Sequence, residues 1–209
     1  MSIILIGSEG FIGSNFKNKY DCICMDRKLN NVDYSKMAGN YVVFLGGGYK
    51  YDDNSKYYQD IMDFYKFMEA VDKYKPIKVI YPSSVSVYYE LNHYSIVKMV
   101  YELIAKLSHI PTLGLRIFNV YGKGQNEKFV IHKLLNDKEV TIYDLKDKRD
   151  YIYIDDLTDI IYKNLFNDKI GIMDVKTGKM TSLRKLIKAT NKVGRYPFIK
   201  LEEGLKKCL

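Results

Sequence analysis

Residues 3–13 read Ile-Ile-Leu-Ile-Gly-Ser-Glu-Gly-Phe-Ile-Gly, an apolar run that leads directly into a loop with three regularly spaced glycines. The apolar run predicts a buried strand over Ser2–Ile6, and the pattern after the loop predicts a helix over Phe11–Lys19. Between a strand and a helix, such glycines permit a tight turn, a close approach of a ligand to the backbone, and close packing of the helix. The amides at the helix N-terminus would then face an anion. This stretch therefore predicts a strand–loop–helix unit that binds a phosphate-containing ligand.

The rest of the chain alternates apolar runs with helical patterns in the same way. Strands are predicted at Asp21–Met25, Tyr41–Leu45, Lys78–Tyr81 and Thr112–Ile117, and helices at Tyr57–Val71 and Tyr94–Leu107. Strands that alternate with helices indicate parallel βαβ units, so the predicted fold class is α/β, with a doubly wound parallel sheet of the Rossmann type. In such a sheet, ligands bind at the carboxyl ends of the strands.

The composition is that of a globular protein, with 47% hydrophobic and 28% charged residues among 209. No apolar stretch approaches the ~20 residues that a membrane helix needs, so we expect a cytoplasmic protein with no membrane partner. The net charge of +8 is compatible with nucleic-acid binding. However, the lysines are scattered and no arginine-rich run occurs, so we expect no nucleic-acid partner; a basic pocket also suits a small anionic substrate.

The chain contains three cysteines, Cys22, Cys24 and Cys208. The first two fall in a predicted strand and share one face, but no second pair or nearby histidine completes a zinc site. We therefore predict buried structural thiols and no metal site.

The end of the second predicted strand carries Asp26, followed by Arg27. A carboxylate at this position accepts hydrogen bonds from the adenine-ribose hydroxyls of a dinucleotide and repels a 2′-phosphate, which favours NAD over NADP. Arg27 weakens that inference, because an arginine can bind the extra phosphate. Together with the glycine loop, this strand end predicts a dinucleotide cofactor.

Tyr94 and Lys98 are four residues apart on a predicted helix, which places them on one helical face. A tyrosine with a free pKa of about 10 is a poor base near neutrality, and a nearby ammonium favours its phenolate form. Ser84 ends a predicted strand and can hydrogen-bond a substrate hydroxyl. We predict that these three residues are catalytic, with Tyr94 taking the proton of the alcohol hydroxyl as hydride leaves the carbon that carries it.

With these motifs in place, the chain resembles an extended short-chain dehydrogenase/reductase of the NAD-dependent epimerase/dehydratase family. The resemblance extends along nearly the whole chain. It is carried by five stretches: the glycine loop Gly7–Gly13, Tyr81–Tyr88 with Ser84, the pair Tyr94 and Lys98, Leu115–Gly122, and Arg149–Leu157.

The resemblance implies roles for further residues. It implies that Asn119 and Arg149 bind the diphosphate of a nucleotide-sugar substrate, that Ser84 also binds the substrate, and that Asp60 lies where the family often has a cofactor-side asparagine. It also implies a homodimer formed through the helices near Tyr57–Val71 and Tyr94–Leu107. The cofactor-binding residues implied are Gly7, Gly10, Phe11, Ile12, Gly13, Asp26, Arg27, Asp33, Gly46, Gly47, Tyr94 and Lys98.

The resemblance also implies two domains. Residues 1–120 form the NAD-binding Rossmann domain, to which residues 149–165 return. Residues 121–148 and 166–209 form a small, reduced C-terminal substrate-binding portion. Members of the family are usually longer, and only ten residues separate Ser84 from Tyr94 here, where the family commonly has a longer substrate loop.

Val85 and Ser86 follow Ser84 at positions where the sugar dehydratases of this family carry acidic residues. This favours a nucleotide-sugar 4-epimerase that oxidises and re-reduces C4 with NAD, Tyr94 being the base. An NAD(P)H-dependent nucleotide-sugar or carbonyl reductase with the same residues is the second interpretation. A non-catalytic dinucleotide-binding protein, suggested by the shortened substrate loop, is the third.

Overall fold

A computed structural model of the chain describes residues 1–25, 32–48, 51, 53–89, 91–135 and 146–190. The chain divides into two compact units. Unit 1 comprises Met1–Ile117 and Ile161–Asp174, and unit 2 comprises Phe118–Ile160 and Val175–Leu209. The predicted assignment of one domain to NAD and the other to substrate stays a prediction.

The elements alternate along the chain as the sequence pattern predicts. The strands are β1 (Ile3–Ile6), β2 (Ile23–Cys24), β3 (Tyr41–Phe44), β4 (Lys78–Ser84), β5 (Thr112–Ile117), β6 (Asn119–Tyr121), β7 (Lys148–Tyr153), β8 (Gly171–Val175) and β9 (Met180–Ser182). The helices are α1 (Phe11–Lys19), α2 (Ser55–Tyr74), α3 (His93–Lys106), α4 (Val130–Leu135), α5 (Ile154–Leu165) and α6 (Leu183–Thr190), with short 3₁₀ helices at Tyr34–Met37 and Val85–Tyr88.

The main sheet of the described residues has six strands in the order β2-β1-β3-β4-β5-β8. The pairings from β2 through β5 are all parallel. All four residues of β1 are buried, which is typical of a parallel strand covered on both faces by helices. The predicted α/β class with a Rossmann-type parallel sheet is confirmed.

The predicted second strand was too long, and its cysteines were wrongly predicted to be buried. Only Ile23 and Cys24 pair with β1, in register with Ile4 and Leu5. Because β2 is the last strand of the described sheet on that side, Cys24 is exposed and Cys22 is partly exposed. Burial and the neighbouring Cys24 raise the pKa of Cys22 to about 12, so its thiol is protonated at neutral pH.

The predicted fourth strand was too short, because it continues through Pro82 to Ser84. Pairing with β3 ends at Ile80, whereas pairing with β5 continues to Ser84. Beyond Ile80, β4 therefore has a described partner on one side only, and a proline that lacks an N–H is tolerated there. The strand thus carries Ser84 at its carboxyl end.

The core of unit 1 is rich in aromatic side chains between the sheet and helices α2 and α3. Phe44 on β3 packs against Phe64 and Phe67 of α2, with ring centres 5.2 and 4.6 Å away. Tyr101 of α3 stacks on Phe64 at 3.9 Å. These contacts fix both helices against the strands whose ends carry the candidate site.

Unit 2 contains a three-stranded sheet in the order β6-β7-β9 within the described residues. β6 runs parallel to β7, and β9 runs antiparallel to it. In the part of the chain that the structure describes, no helix is long and apolar enough to cross a membrane.

Candidate active site

The glycine loop joins β1 to α1 through contacts that only glycine permits. Gly7 has a φ of +88°, and a Cβ there would lie 2.7 Å from the backbone of Leu45. A Cβ on Gly13 would overlap the Gly7 carbonyl oxygen, so α1 can pack this closely on the loop only without a side chain at that position. The N–H of Gly10 donates to the same Gly7 carbonyl at 3.2 Å. The first and third glycines are thus required by the backbone itself.

The middle glycine meets a different environment. A Cβ on Gly10 would find only the Gly7 carbonyl within 4 Å, at 3.5 Å, so the space beside this residue is open. Gly10 is also the N-cap of α1, where the amides of Phe11 and Ile12 lack intrahelical acceptors. An open backbone surface beside a helix N-terminus fits the pyrophosphate of a dinucleotide.

The end of β3 approaches the same loop, because Gly46 lies beside the position that a Gly7 side chain would occupy. Asp60 of α2 is 2% exposed, and its carboxylate accepts hydrogen bonds from the Gly48 N–H at 3.1 Å and the Tyr51 hydroxyl at 2.8 Å. Asp60 therefore anchors the segment that follows β3, a role that the sequence alone did not indicate.

The remaining residues predicted to bind the cofactor divide into two groups. Asp26 and Arg27 lie outside the described residues. Asp33 is exposed and caps the first 3₁₀ helix, accepting a hydrogen bond from the Ser35 N–H at 3.1 Å. This bond and the Ser35 hydroxyl lower the pKa of Asp33. Its predicted contact with the cofactor stays a prediction.

Ser84, Tyr94 and Lys98 lie in the same unit as the glycine loop. Ser84 is 8% exposed, and its hydroxyl caps the 3₁₀ helix that follows β4 by accepting from the Ser86 N–H at 3.2 Å. Lys98 is 4% exposed, and its ammonium lies 5.6 Å from the centre of the Tyr94 ring and 4.4 Å from that of Tyr101. The predicted tyrosine–lysine pair is thus a tyrosine beside a buried lysine.

A capping box fixes the helical turn that carries Tyr94. The Asn92 side chain accepts from the Ser95 N–H at 2.9 Å, and the Ser95 hydroxyl accepts from the Asn92 N–H at 3.0 Å. This reciprocal pair satisfies two amides that would otherwise lack partners at the start of α3. It therefore sets the residue at which α3 begins, and with it the position of Tyr94 in the first turn.

A partly buried ion pair beside β4 was not predicted. Arg116 on β5 donates to both carboxylate oxygens of Glu102 on α3, at 2.8 and 2.6 Å, which raises the pKa of the arginine. Arg116 also donates to the Tyr88 hydroxyl at 2.6 Å, and that hydroxyl donates to Asp174 at 3.0 Å. Ser83 donates to Glu102 as well. This network of hydrogen bonds fixes the position of the 3₁₀ helix immediately after Ser84.

The two residues predicted to bind diphosphate lie in unit 2. The Asn119 amide donates to the Asp150 carbonyl at 3.1 Å, across the β6–β7 pairing. Arg149 is half exposed and forms an ion pair with Asp147 at 3.0 Å. The neighbouring Asp150 is 2% exposed, and its carboxylate accepts from the backbone amides of Thr177 and Gly178 at 2.9 and 2.7 Å. Asp150 is therefore structural, whereas Arg149 is accessible to a ligand.

The fold and the glycine loop define the class of this protein, a dinucleotide-binding protein of the Rossmann type. The sequence model of the NAD dependent epimerase/dehydratase family matches residues 3–173. The chain therefore belongs to this family, whose enzymes use NAD. NAD also fits the open surface beside Gly10. The family, the enzymatic class and the cofactor that the sequence predicted are thereby confirmed.

One curated relative is ADP-L-glycero-D-manno-heptose-6-epimerase of Fusobacterium nucleatum subsp. nucleatum. It is 34% identical over 100 residues, and the match covers 40% of this chain and 30% of the relative. The match thus spans less than a third of that relative's length.

Solved structures share the fold at lower identity. The UDP-glucuronic acid 4-epimerase of Bacillus cereus in complex with NAD is 24% identical with a TM-score of 0.81, covering 99% of this chain and 94% of that chain. The UDP-glucose 4-epimerase of Thermotoga maritima with UDP-glucose is 21% identical with a TM-score of 0.78, covering 100% and 97%. An NAD dependent NDP-hexosamine 5,6-dehydratase has a TM-score of 0.82 at 16% identity, covering 100% and 96%.

Proposed function

We propose that this protein is a nucleotide-sugar 4-epimerase in which Tyr94 is the base. The observation that carries the proposal is the buried Lys98 ammonium, one helical turn from Tyr94 and 5.6 Å from its ring. A positive charge with little access to water favours the phenolate form of a neighbouring tyrosine more strongly than an exposed one does. Bound NAD supplies the acceptor and later the donor of the hydride.

The protein's own residues would move and hold the proton. Tyr94 takes the proton of the C4 hydroxyl and returns it when hydride is delivered to the opposite face of the sugar. The Ser84 hydroxyl hydrogen-bonds the same sugar oxygen and keeps it oriented. Lys98 stabilises the charge on Tyr94 while the phenol is ionised.

The proposed substrate is a nucleotide-diphosphate sugar, with Asn119 and Arg149 binding its diphosphate. Arginine suits this role because its planar group can donate two parallel hydrogen bonds to a phosphate. Epimerase relatives whose names include UDP-glucose and UDP-glucuronic acid support this substrate class. The absence of acidic side chains at Val85 and Ser86 supports epimerisation over dehydration. A cytoplasmic location stays a prediction.

The test compares Tyr94→Phe with the parent protein and with Tyr89→Phe. Tyr89 is 78% exposed and lies between β4 and α3, so it controls for the loss of a nearby phenol. Formation of the C4 epimer from UDP-glucose and UDP-glucuronic acid is followed by NMR. Tyr94→Phe should keep its fold and its bound NAD and lose nearly all turnover, whereas Tyr89→Phe should match the parent.

Two results would count against the proposal. Turnover by Tyr94→Phe within tenfold of the parent would exclude Tyr94 as the base. Stoichiometric consumption of NADH or NADPH without epimer formation would identify a reductase that uses the same residues.

Exposed apolar side chains on α2 and α3 support a homodimer as the proposed assembly. Tyr58, Met62 and Tyr65 recur at helical spacing on α2, and Ile96 and Leu103 do so on α3, with Leu107 directly after it. The two helices are joined by a hydrogen bond from the Tyr101 hydroxyl to the Asp60 carbonyl. Exposed apolar side chains at helical spacing on two packed helices are typical of an interface.

Sedimentation velocity tests the homodimer with one charge introduced on this surface. Leu103, which is 63% exposed, should tolerate glutamate in the monomer, so Leu103→Glu is expected to sediment as a folded monomer. Leu91→Glu is the control, since Leu91 is 84% exposed and precedes α3. A parent protein that sediments as a monomer at tens of micromolar would refute the assembly.

A further inference from the structure

Tyr101 lies directly behind the proposed catalytic pair. It belongs to α3, three residues after Lys98, and it is completely buried. The Lys98 ammonium lies 4.4 Å from the centre of its ring, closer than the 5.6 Å that separates it from the Tyr94 ring. A cation at this distance over an aromatic face is attracted by the ring quadrupole, and the attraction grows when the site is desolvated.

Two contacts fix the Tyr101 ring independently of Lys98. Phe64 stacks nearly parallel to it, with the ring centres 3.9 Å apart and the planes inclined by 10°. Because Phe64 covers one face of the Tyr101 ring, the Lys98 ammonium lies over the opposite face. The Tyr101 hydroxyl donates to the Asp60 carbonyl of α2 at 3.2 Å, which fixes the rotation of the ring in its own plane.

These contacts also connect Tyr101 with the segment after β3. A Cβ on Gly47 would lie 3.0 Å from the Tyr101 hydroxyl and 3.2 Å from the Asp60 carboxylate. Asp60 in turn accepts from the Gly48 N–H. The lysine, the ring and the loop beside the proposed cofactor site thus form one packed set of groups.

We infer that Tyr101 is a positioning residue, which holds the Lys98 ammonium beside Tyr94 through the face of its ring. The inference rests on the proposed function, because it gives Tyr101 a role through the Tyr94–Lys98 pair. A long lysine side chain has many rotamers, and the aromatic face restricts them to the one that serves Tyr94. A leucine at position 101 is apolar like the ring but has no such face.

The first experiment measures the ionisation of Tyr94 without reference to turnover. Protein labelled with ¹³C at the ζ carbon of tyrosine is titrated by NMR, and the Tyr94 resonance is assigned by its loss in Tyr94→Phe. The titratable groups described in contact with the lysine are Tyr94 and Tyr101, and Glu102 lies one helical turn after Lys98 on α3. In Tyr101→Leu, the Tyr94 midpoint should move to higher pH, because the displaced ammonium stabilises the phenolate less. Tyr101→Phe, which keeps the ring face, should stay close to the parent.

The second experiment separates positioning from loss of core packing. Tyr81 is also buried and packs against Phe64, with ring centres 5.5 Å apart, so Tyr81→Leu removes a matched volume elsewhere in the same core. Tyr101→Leu should lower kcat about tenfold or more near neutral pH, as expected for loss of a desolvated cation–π contact. KM should change little, and activity should recover as the pH rises. Tyr81→Leu should leave the pH profile of the parent.

A third set of variants keeps the shape of the ring if Tyr101→Leu does not fold. Phenylalanine with increasing fluorine substitution at position 101 weakens the ring quadrupole stepwise, and the Tyr94 midpoint should rise in the same order. An unchanged midpoint across this series, or an equal shift in Tyr81→Leu, would overturn the inference. A midpoint that rises in a protein without epimerase activity would support the positioning role and reject the proposed reaction.

Discussion

The glycine loop and the segment from Ser84 to Tyr94 are both candidate site regions of unit 1, but different forces hold them. In the loop, Gly7 and Gly13 are required because any side chain would overlap the backbone. In the second segment, position is set by side chains, through the Asn92–Ser95 capping box and the hydrogen bonds that Tyr88 makes. A region fixed by backbone contacts should fail completely when one of its few essential glycines is replaced. A region fixed by side chains should lose its geometry gradually, as one side-chain contact after another is removed.

The largest expected effect comes from Gly13→Ala. The new methyl group overlaps the Gly7 carbonyl oxygen, so α1 must move away from the loop. Overpacking against backbone costs about 3 kcal/mol, which corresponds to a fall in melting temperature of roughly 10 °C for a chain of this size. Circular dichroism measures the melting temperature, and calorimetry should show that NAD binding is lost.

Gly10→Ala is the matched control for that experiment. Its methyl group would make one ordinary contact, with the Gly7 carbonyl at 3.5 Å, and the φ of −75° suits alanine. The melting temperature without NAD should stay within a few degrees of the parent, while NAD binding weakens because the methyl group occupies the open surface. A Gly13→Ala protein as stable as Gly10→Ala would contradict the steric explanation of the loop.

An intermediate effect is expected when the ion pair beside Ser84 is broken. Glu102→Gln leaves Arg116, whose side chain is 21% exposed, without its carboxylate partner. Loss of charge-assisted hydrogen bonds at a largely buried site costs about 2 kcal/mol, and the urea midpoint should fall accordingly. Turnover should fall too, because Arg116 also holds Tyr88 and thereby the 3₁₀ helix after Ser84.

An exposed ion pair in the same unit provides the comparison. Glu9 is 66% exposed in its contact with Lys17, so Glu9→Gln should change the stability by at most about 0.5 kcal/mol. Equal urea midpoints for the two variants would mean that burial adds nothing to the Arg116–Glu102 pair.

The same contrast explains what the sequence could predict. The loop was predicted with its helix bounds, Phe11–Lys19, because spacing and sterics act within a few neighbouring residues. The link between Arg116 and Glu102 could not be read from spacing, because it depends on how α3 packs against β5. One signal was present: an arginine stands in the mostly apolar run of β5, and an arginine that is largely removed from water requires a partner.

The roles of Asp60 and Tyr101 were missed for a similar reason. Each depends on a contact between α2 and α3, or between α2 and the segment after β3. Periodicity predicts that such residues face the core, but it does not tell a packing tyrosine from one that faces a lysine. The tyrosine–lysine pair itself was predictable, because the two residues are one helical turn apart.

The smallest expected effect comes from removing the side-chain cap at the start of α3. Asn92 accepts a hydrogen bond from Ser95, whereas Asn54 at the start of α2 makes no capping bond with its side chain. Asn92→Ala should therefore cost about 1 kcal/mol, and Asn54→Ala only a few tenths. Urea denaturation of the two variants measures this difference.

Because Tyr94 lies in the turn that the cap holds, kcat should also fall severalfold in Asn92→Ala and stay unchanged in Asn54→Ala. A cap that affects stability but not kcat would show that Lys98 and its surroundings hold Tyr94 without help from the helix start.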